Sequence, residues 1–275
     1  MKTILKYTTL ALATSGILLL SACSTTSTST STAQEKPTVT KTASTQDPGI
    51  KAADVSIELG IAYLEKGNVS QAKQNLLNAV KQAPKYPPSW YTLAYYYEVT
   101  GEKDQANDFY QKSLKLAPND GNVLNNYGTY LCRSQQYKES IPYFLKAVKD
   151  PDYLSTAEAY ENAGLCAMAI PDLSQAKTYF QRALQQSPGR TTSILELAEV
   201  NYQEKNYAFA KQGFDSYNQL EKTPSPESLW LGVRLGWTLK DKTLSNQNAT
   251  LLAKNYPTSA EANLLAQAQQ KMKVN

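Results

Sequence analysis

The chain has 275 residues, with 28 Lys and Arg against 24 Asp and Glu, and no histidine. Without histidine there is no Ser-His or Cys-His nucleophile pair and no His-based zinc site. A formal charge of +4, which falls to +2 once Lys2 and Lys6 are removed with an N-terminal signal, is too mild for a phosphate-binding footprint.

The chain opens with Lys2 and Lys6, an apolar run from Leu10 to Leu20, and then Ser21-Ala22-Cys23. A charged start, a short apolar core and small residues before a cut read as an export signal over residues 1–22, too short for a stable membrane span. The ending Leu20-Ser21-Ala22-Cys23 resembles the bacterial lipobox, which implies cleavage before Cys23 and acylation of that cysteine with palmitate-type chains. The alternative is an ordinary signal with a coincidental cysteine. Each buried acyl methylene contributes about 0.8 kcal/mol, so two or three chains anchor a protein firmly. Ser24 follows the cysteine, where aspartate would resemble an inner-membrane retention signal, so the expected place is the outer membrane, facing the periplasm. Residues 23–52 are rich in Ser and Thr with nothing apolar to repay ordering, and read as a disordered tether of about 30 Å average span.

From residue 53 onward one two-residue signature recurs: Leu59-Gly60, Leu93-Ala94, Tyr127-Gly128, Ala163-Gly164, Leu197-Ala198 and Leu231-Gly232, at steps of 34, 34, 36, 34 and 34. Ala72, Ala106, Ser140, Ala176 and Ala210 keep the same step, and Pro84, Pro118, Pro151 and Pro188 close successive units. A period of about 34 is that of the tetratricopeptide repeat, two antiparallel helices per unit. Small residues stand where the helices must approach, large ones where they fill the gap, and proline ends the second helix because it lacks the N–H and clashes with the turn before it. The expected fold is all-α: a right-handed superhelical solenoid of about six repeats, near 53–86, 87–120, 121–154, 157–190, 191–224 and 225–258, with a capping helix over 259–273. The recurring Tyr63, Tyr97, Tyr127 and Tyr160 occupy positions that want a large ring, which is a simpler account of them than a base-stacking platform.

Apart from Cys23, the cysteines are Cys132 and Cys166, on the first helices of consecutive repeats and 34 residues apart. In an oxidising compartment they suit a disulfide. Two buried thiols acting as small hydrophobes are the alternative. The carboxylate pairs Glu158/Glu161 and Glu196/Glu199 read as solvated surface or groove residues, since a three-residue spacing on one helix is a poor acid–base couple. No phosphate loop or nucleophile elbow is present. An enzyme, a cofactor, a small-molecule substrate and a nucleic-acid partner are therefore not expected.

The run Asn125-Asn126-Tyr127-Gly128-Thr129-Tyr130-Leu131-Cys132-Arg133 and the run Glu161-Asn162-Ala163-Gly164-Leu165-Cys166-Ala167 together resemble the type IV pilus biogenesis lipoproteins of the PilF and PilW type. So do Asp150-Pro151-Asp152-Tyr153, Ser228-Leu229-Trp230-Leu231-Gly232-Val233-Arg234, and the opening Glu58-Leu59-Gly60-Ile61-Ala62-Tyr63-Leu64. The resemblance spans residues from about 54 to the end. It implies a pilotin, a lipoprotein that carries secretin subunits of the pilus to the outer membrane and aids their multimerisation, with no covalent step. Repeat lipoproteins of β-barrel assembly or of peptidoglycan-synthase activation share the architecture and are the competing reading. By repeat logic the first helices line the concave face, so Ile57, Ile61, Leu64, Tyr91 and Tyr95 are expected to form an apolar strip for a partner segment. Asn126 and Asn162 resemble repeat asparagines that bind a ligand backbone.

Overall fold

The structure is a computed structural model that describes residues 36–37 and 47–274. The expected signal, Cys23 and most of the tether lie outside the described residues. What is described is helical throughout, in six antiparallel pairs and a final helix. The first pair is α1 (Pro48–Glu65) and α2 (Val69–Gln82), followed by α3 (Pro87–Val99) with α4 (Lys103–Leu116). Next come α5 (Gly121–Arg133) with α6 (Tyr137–Ala147), and α7 (Thr156–Ala169) with α8 (Leu173–Gln186). The last pairs are α9 (Thr191–Gln203) with α10 (Tyr207–Leu220) and α11 (Pro226–Leu239) with α12 (Lys242–Asn255), and α13 (Ala260–Val274) closes the stack. No described helix is long and apolar enough to cross a membrane.

The signature glycines explain why each pair closes. A Cβ on Gly128 would stand 2.9 Å from the Phe144 ring, one on Gly164 2.6 Å from the Phe180 ring, and one on Gly60 2.6 Å from Leu76. Each large partner comes sixteen residues after its small one, and the series continues with Ala94 and Tyr110, Ala198 and Phe214, and Gly232 and Asn248. All six large residues are buried. In five of the six pairs the turn bends through a left-handed residue, at a matching position for Gly67, Gly101, Gln135 and Lys205 and one residue later for Lys240. Glycine takes that conformation freely, while the other three carry a steric cost.

Helix α1 starts earlier than the composition of the tether suggests. Asp47 caps it, its Oδ1 accepting from the Gly49 amide at 2.7 Å, and Pro48 fills the first helical position, where no N–H is needed. The backbones of consecutive odd-numbered helices come within 8 Å of each other along the whole stack, whereas among the described residues those of consecutive even-numbered helices do not. The row with the closer spacing follows the shorter arc, so the odd helices line the inner, concave face.

A disulfide joins Cys132 on α5 to Cys166 on α7, with the Cα atoms 5.9 Å apart, inside the range that such a bond requires. It links the inner helices of the third and fourth repeats. Replacing both cysteines with alanine should cost about 3–4 kcal/mol, as expected for a loop of this length, and should make a denaturant melt insensitive to reductant. The parent chain in reductant should melt where the variant does. Gly164→Val, which drives a side chain into Phe180, should cost about 1–3 kcal/mol. Gly189→Ala, with nothing within 4 Å, should leave the thermal midpoint in place.

Candidate functional site

The concave face is assembled from one side of α1, α3, α5, α7, α9 and α11, and most of its polar groups are used between neighbouring helices. Arg133 on α5 donates to Glu98 on α3, Nε to Oε1 at 2.6 Å and Nη2 to Oε2 at 2.7 Å, and Tyr110 donates to the same carboxylate at 3.0 Å. Asn125 donates to Glu158 at 3.1 Å, and Asn162 donates to the side-chain Oδ1 of Asn125 at 3.3 Å. Glu161 on α7 receives Arg190 through both oxygens and the Ser193 hydroxyl besides. Arg234 on α11 binds Glu199 on α9, with Nη1 to Oε1 at 3.0 Å. Forked arginine–carboxylate bonds of this kind are strong and directional.

Between these pairs the face is apolar and aromatic. Leu64, Met168 and Tyr202 share the repeat position of Glu98 and Cys132, and all three are partly buried. The Arg133 guanidinium lies 5.6 Å from the Tyr95 ring centroid. Arg234 lies over Tyr202 at 4.7 Å and over Trp230 at 5.5 Å, and Trp230 meets Trp237 edge-on. Such a surface offers contact area and few free charges, which suits an amphipathic segment. A separate depression of about 520 Å³ is lined by Asp108, Gln111, Lys112, Lys115 and Leu116, all on the outer helix α4.

The expected groove residues divide. Ile61 and Leu64 are partly buried on α1, whereas Tyr95 on α3, expected beside them, is 7% exposed and belongs to the core. Ile57 does not belong there: it is fully buried among Ala53, Ala79, Ala83 and Tyr86, because the Tyr86 hydroxyl bonds Asp54 and folds the start of the next repeat over it. Tyr91 is core as well, only 1% exposed, and burial holds its phenol well above the usual range. Asn126 donates within its own helix to the Asn122 carbonyl at 2.8 Å, and Asn162 is used on Asn125, so both are buried struts between or within helices rather than hooks for a ligand backbone. Glu161, expected at the surface or in the groove, is 2% exposed and holds the fourth repeat to the fifth. The glutamate–arginine seam was missed, although Glu98/Arg133 and Glu199/Arg234 share one spacing, a single repeat plus one residue.

Glu196 is the exception to this pairing. Partly buried on α9, it has Glu199, Glu227 and Glu161 as its charged neighbours, and burial first, then those like charges, pushes its carboxyl up to about 8. The folded chain keeps this proton to about pH 8, whereas the unfolded chain releases it near the ordinary 4.5. Folding therefore takes up a proton between those values, and stability falls as pH rises through that window. Glu196→Gln should raise the thermal midpoint at pH 8 and flatten the decline between pH 5 and 8, as followed by circular dichroism.

Residues 87–120, 109–141 and 128–191 match the tetratricopeptide repeat family. Over 211 residues, 77% of this chain and 83% of the relative, the sequence is 32% identical to the type IV pilus assembly protein PilF of Pseudomonas aeruginosa. The solved structure of Pseudomonas aeruginosa PilF superposes with a TM-score of 0.71 at 31% identity, covering 80% of this chain and 99% of that one. The crystal structure of PilW, described as a widely conserved type IV pilus biogenesis factor, gives 0.70 at 26% identity, over 78% of this chain and 98% of that one. An inner row of laced helices, a reciprocal comb of small and large residues, and a match along nearly the whole of a pilus assembly protein lead to one conclusion: the chain belongs to the PilF and PilW family of tetratricopeptide-repeat proteins of type IV pilus biogenesis.

Proposed function

We propose that this chain is a pilotin: an outer-membrane lipoprotein, acylated at Cys23, that holds a segment of a type IV pilus secretin subunit on its concave face and promotes secretin localisation and multimerisation. The match to PilF over the region that carries this face is the observation on which the reading rests. The chemistry agrees with it. A partner segment meets Ile61, Leu64, Met168, Tyr202 and Trp237, while most of the charges along the face are already satisfied by one another. Binding then draws on apolar burial, worth roughly 1.5–3 kcal/mol per large side chain. No group on the face is arranged for a covalent step, and the proposed role needs none: the protein works as a scaffold.

The test is a crosslinked pull-down from detergent-solubilised outer membranes, with partners identified by mass spectrometry. A type IV pilus secretin should dominate. Leu64→Glu with Met168→Glu should reduce its capture at least tenfold, the equivalent of about 1.4 kcal/mol, with the helical melt retained. Barrel-assembly components or a peptidoglycan synthase in place of the secretin would overturn the reading.

A further inference from the structure

Two residues of the sequence assigned to the tether have a defined place on the repeat domain. Lys36 donates to the Glu65 carboxylate at 2.9 Å, and the Pro37 next to it is buried. Glu65 is the last residue of α1, whereas the chain enters α1 at its other end, at Asp47. An 18-residue helix is about 27 Å long. The eleven-residue step from Lys36 to Asp47 can span about 36–40 Å, so a return to the far end of α1 is within reach. The Tyr95 phenol on α3 is within electrostatic range of Lys36, which places the contact where the inner helices of the first two repeats meet.

The nature of the two residues indicates what holds them. Both charged groups are more than half exposed, and an ion pair of that kind contributes little and weakens in salt. Proline is different. Its ring is apolar, its φ is already fixed, and it has no N–H to leave unsatisfied when buried. Proline in an extended segment is a common anchor on aromatic surfaces for these reasons. The lysine then sets the register by reaching the carboxylate at the end of α1.

We infer that Lys36 and Pro37 form an intramolecular ligand that occupies the first-repeat end of the concave face, and that a secretin segment must displace it to use the whole groove. The displacement rests on the pilotin reading, while the docking does not. On this reading a partner engages the inner surface of the later repeats first and releases the clip on reaching Ile61 and Leu64.

The test uses the full mature chain. Zero-length carbodiimide crosslinking should give a Lys36–Glu65 isopeptide bond, detected by mass spectrometry. Lys36→Glu should abolish it, and the exchange Lys36→Glu with Glu65→Lys should restore a crosslink between the same two positions. Pro37→Ser, which leaves both charged groups in place, should lower the yield several-fold and raise secretin capture about tenfold. A missing crosslink in the parent chain, or a yield indifferent to Pro37→Ser, would overturn the docking. Secretin capture unchanged by Pro37→Ser would overturn the competition. A crosslink that responds to Pro37 in a chain that captures no secretin would establish the docking and defeat the pilotin reading instead.

Discussion

A small residue on each inner helix receives a large one from the outer helix sixteen positions later, and everything else in the solenoid depends on that fit. Where the small residue is glycine, the partner sits where a Cβ would be, as with Phe144 against Gly128 and Phe180 against Gly164. This contact fixes how closely the two helices of a repeat approach and hence the thickness of the unit. It also turns the rest of the inner helix toward the next repeat. Stacking follows because a single pair cannot cover its own apolar side.

Apolar clusters continue from one repeat to the next, and on the concave side polar pairs are added to them. Glu98 with Arg133 and Glu199 with Arg234 are each mostly withdrawn from water, and Glu161 almost wholly so. Removing one member of such a pair typically costs about 3–5 kcal/mol, because the other is left without a counter-charge. The pairs thus specify which surfaces stack and at what register. They also neutralise most of the charge on the concave face, so what remains for a partner is mainly aromatic and aliphatic surface. Glu196, surrounded by like charges, has no such pairing and destabilises the folded chain at neutral pH.

How much of this could be read in the chain depended on whether a residue answers to its own repeat or to the next. The comb of Leu-Gly and Leu-Ala pairs reports a steric demand within one repeat, so it recurs at a fixed step and gives the fold. Ile57 and Ile61 lie on one stripe of α1, four residues apart, and spacing alone cannot separate them. What separates them is depth in one cluster: Ile57 is enclosed completely beside Tyr86, at the entrance to α3, whereas Ile61 packs at the edge of the same cluster and stays partly exposed. Tyr91 and Tyr95, also four residues apart, do not divide: both are taken into the core between the first three repeats. Asn126 and Asn162 resemble ligand-binding positions in sequence, but the helices here pack closely enough to use those amides themselves. The start of α1 was legible from Asp47 and Pro48, a cap followed by a proline at the first helical position, and was obscured by the composition around it.

The disulfide has a mechanical consequence. A solenoid is held together only by contacts between neighbours, so it frays from its ends and can also part at any weak internal junction. Cys132–Cys166 closes the junction between the third and fourth of six repeats. Thermal opening must then begin at either end and stop at a welded centre, which leaves two arms of similar length free to bend about it. A groove built this way can tighten around an elongated ligand from both sides without losing the register of its middle.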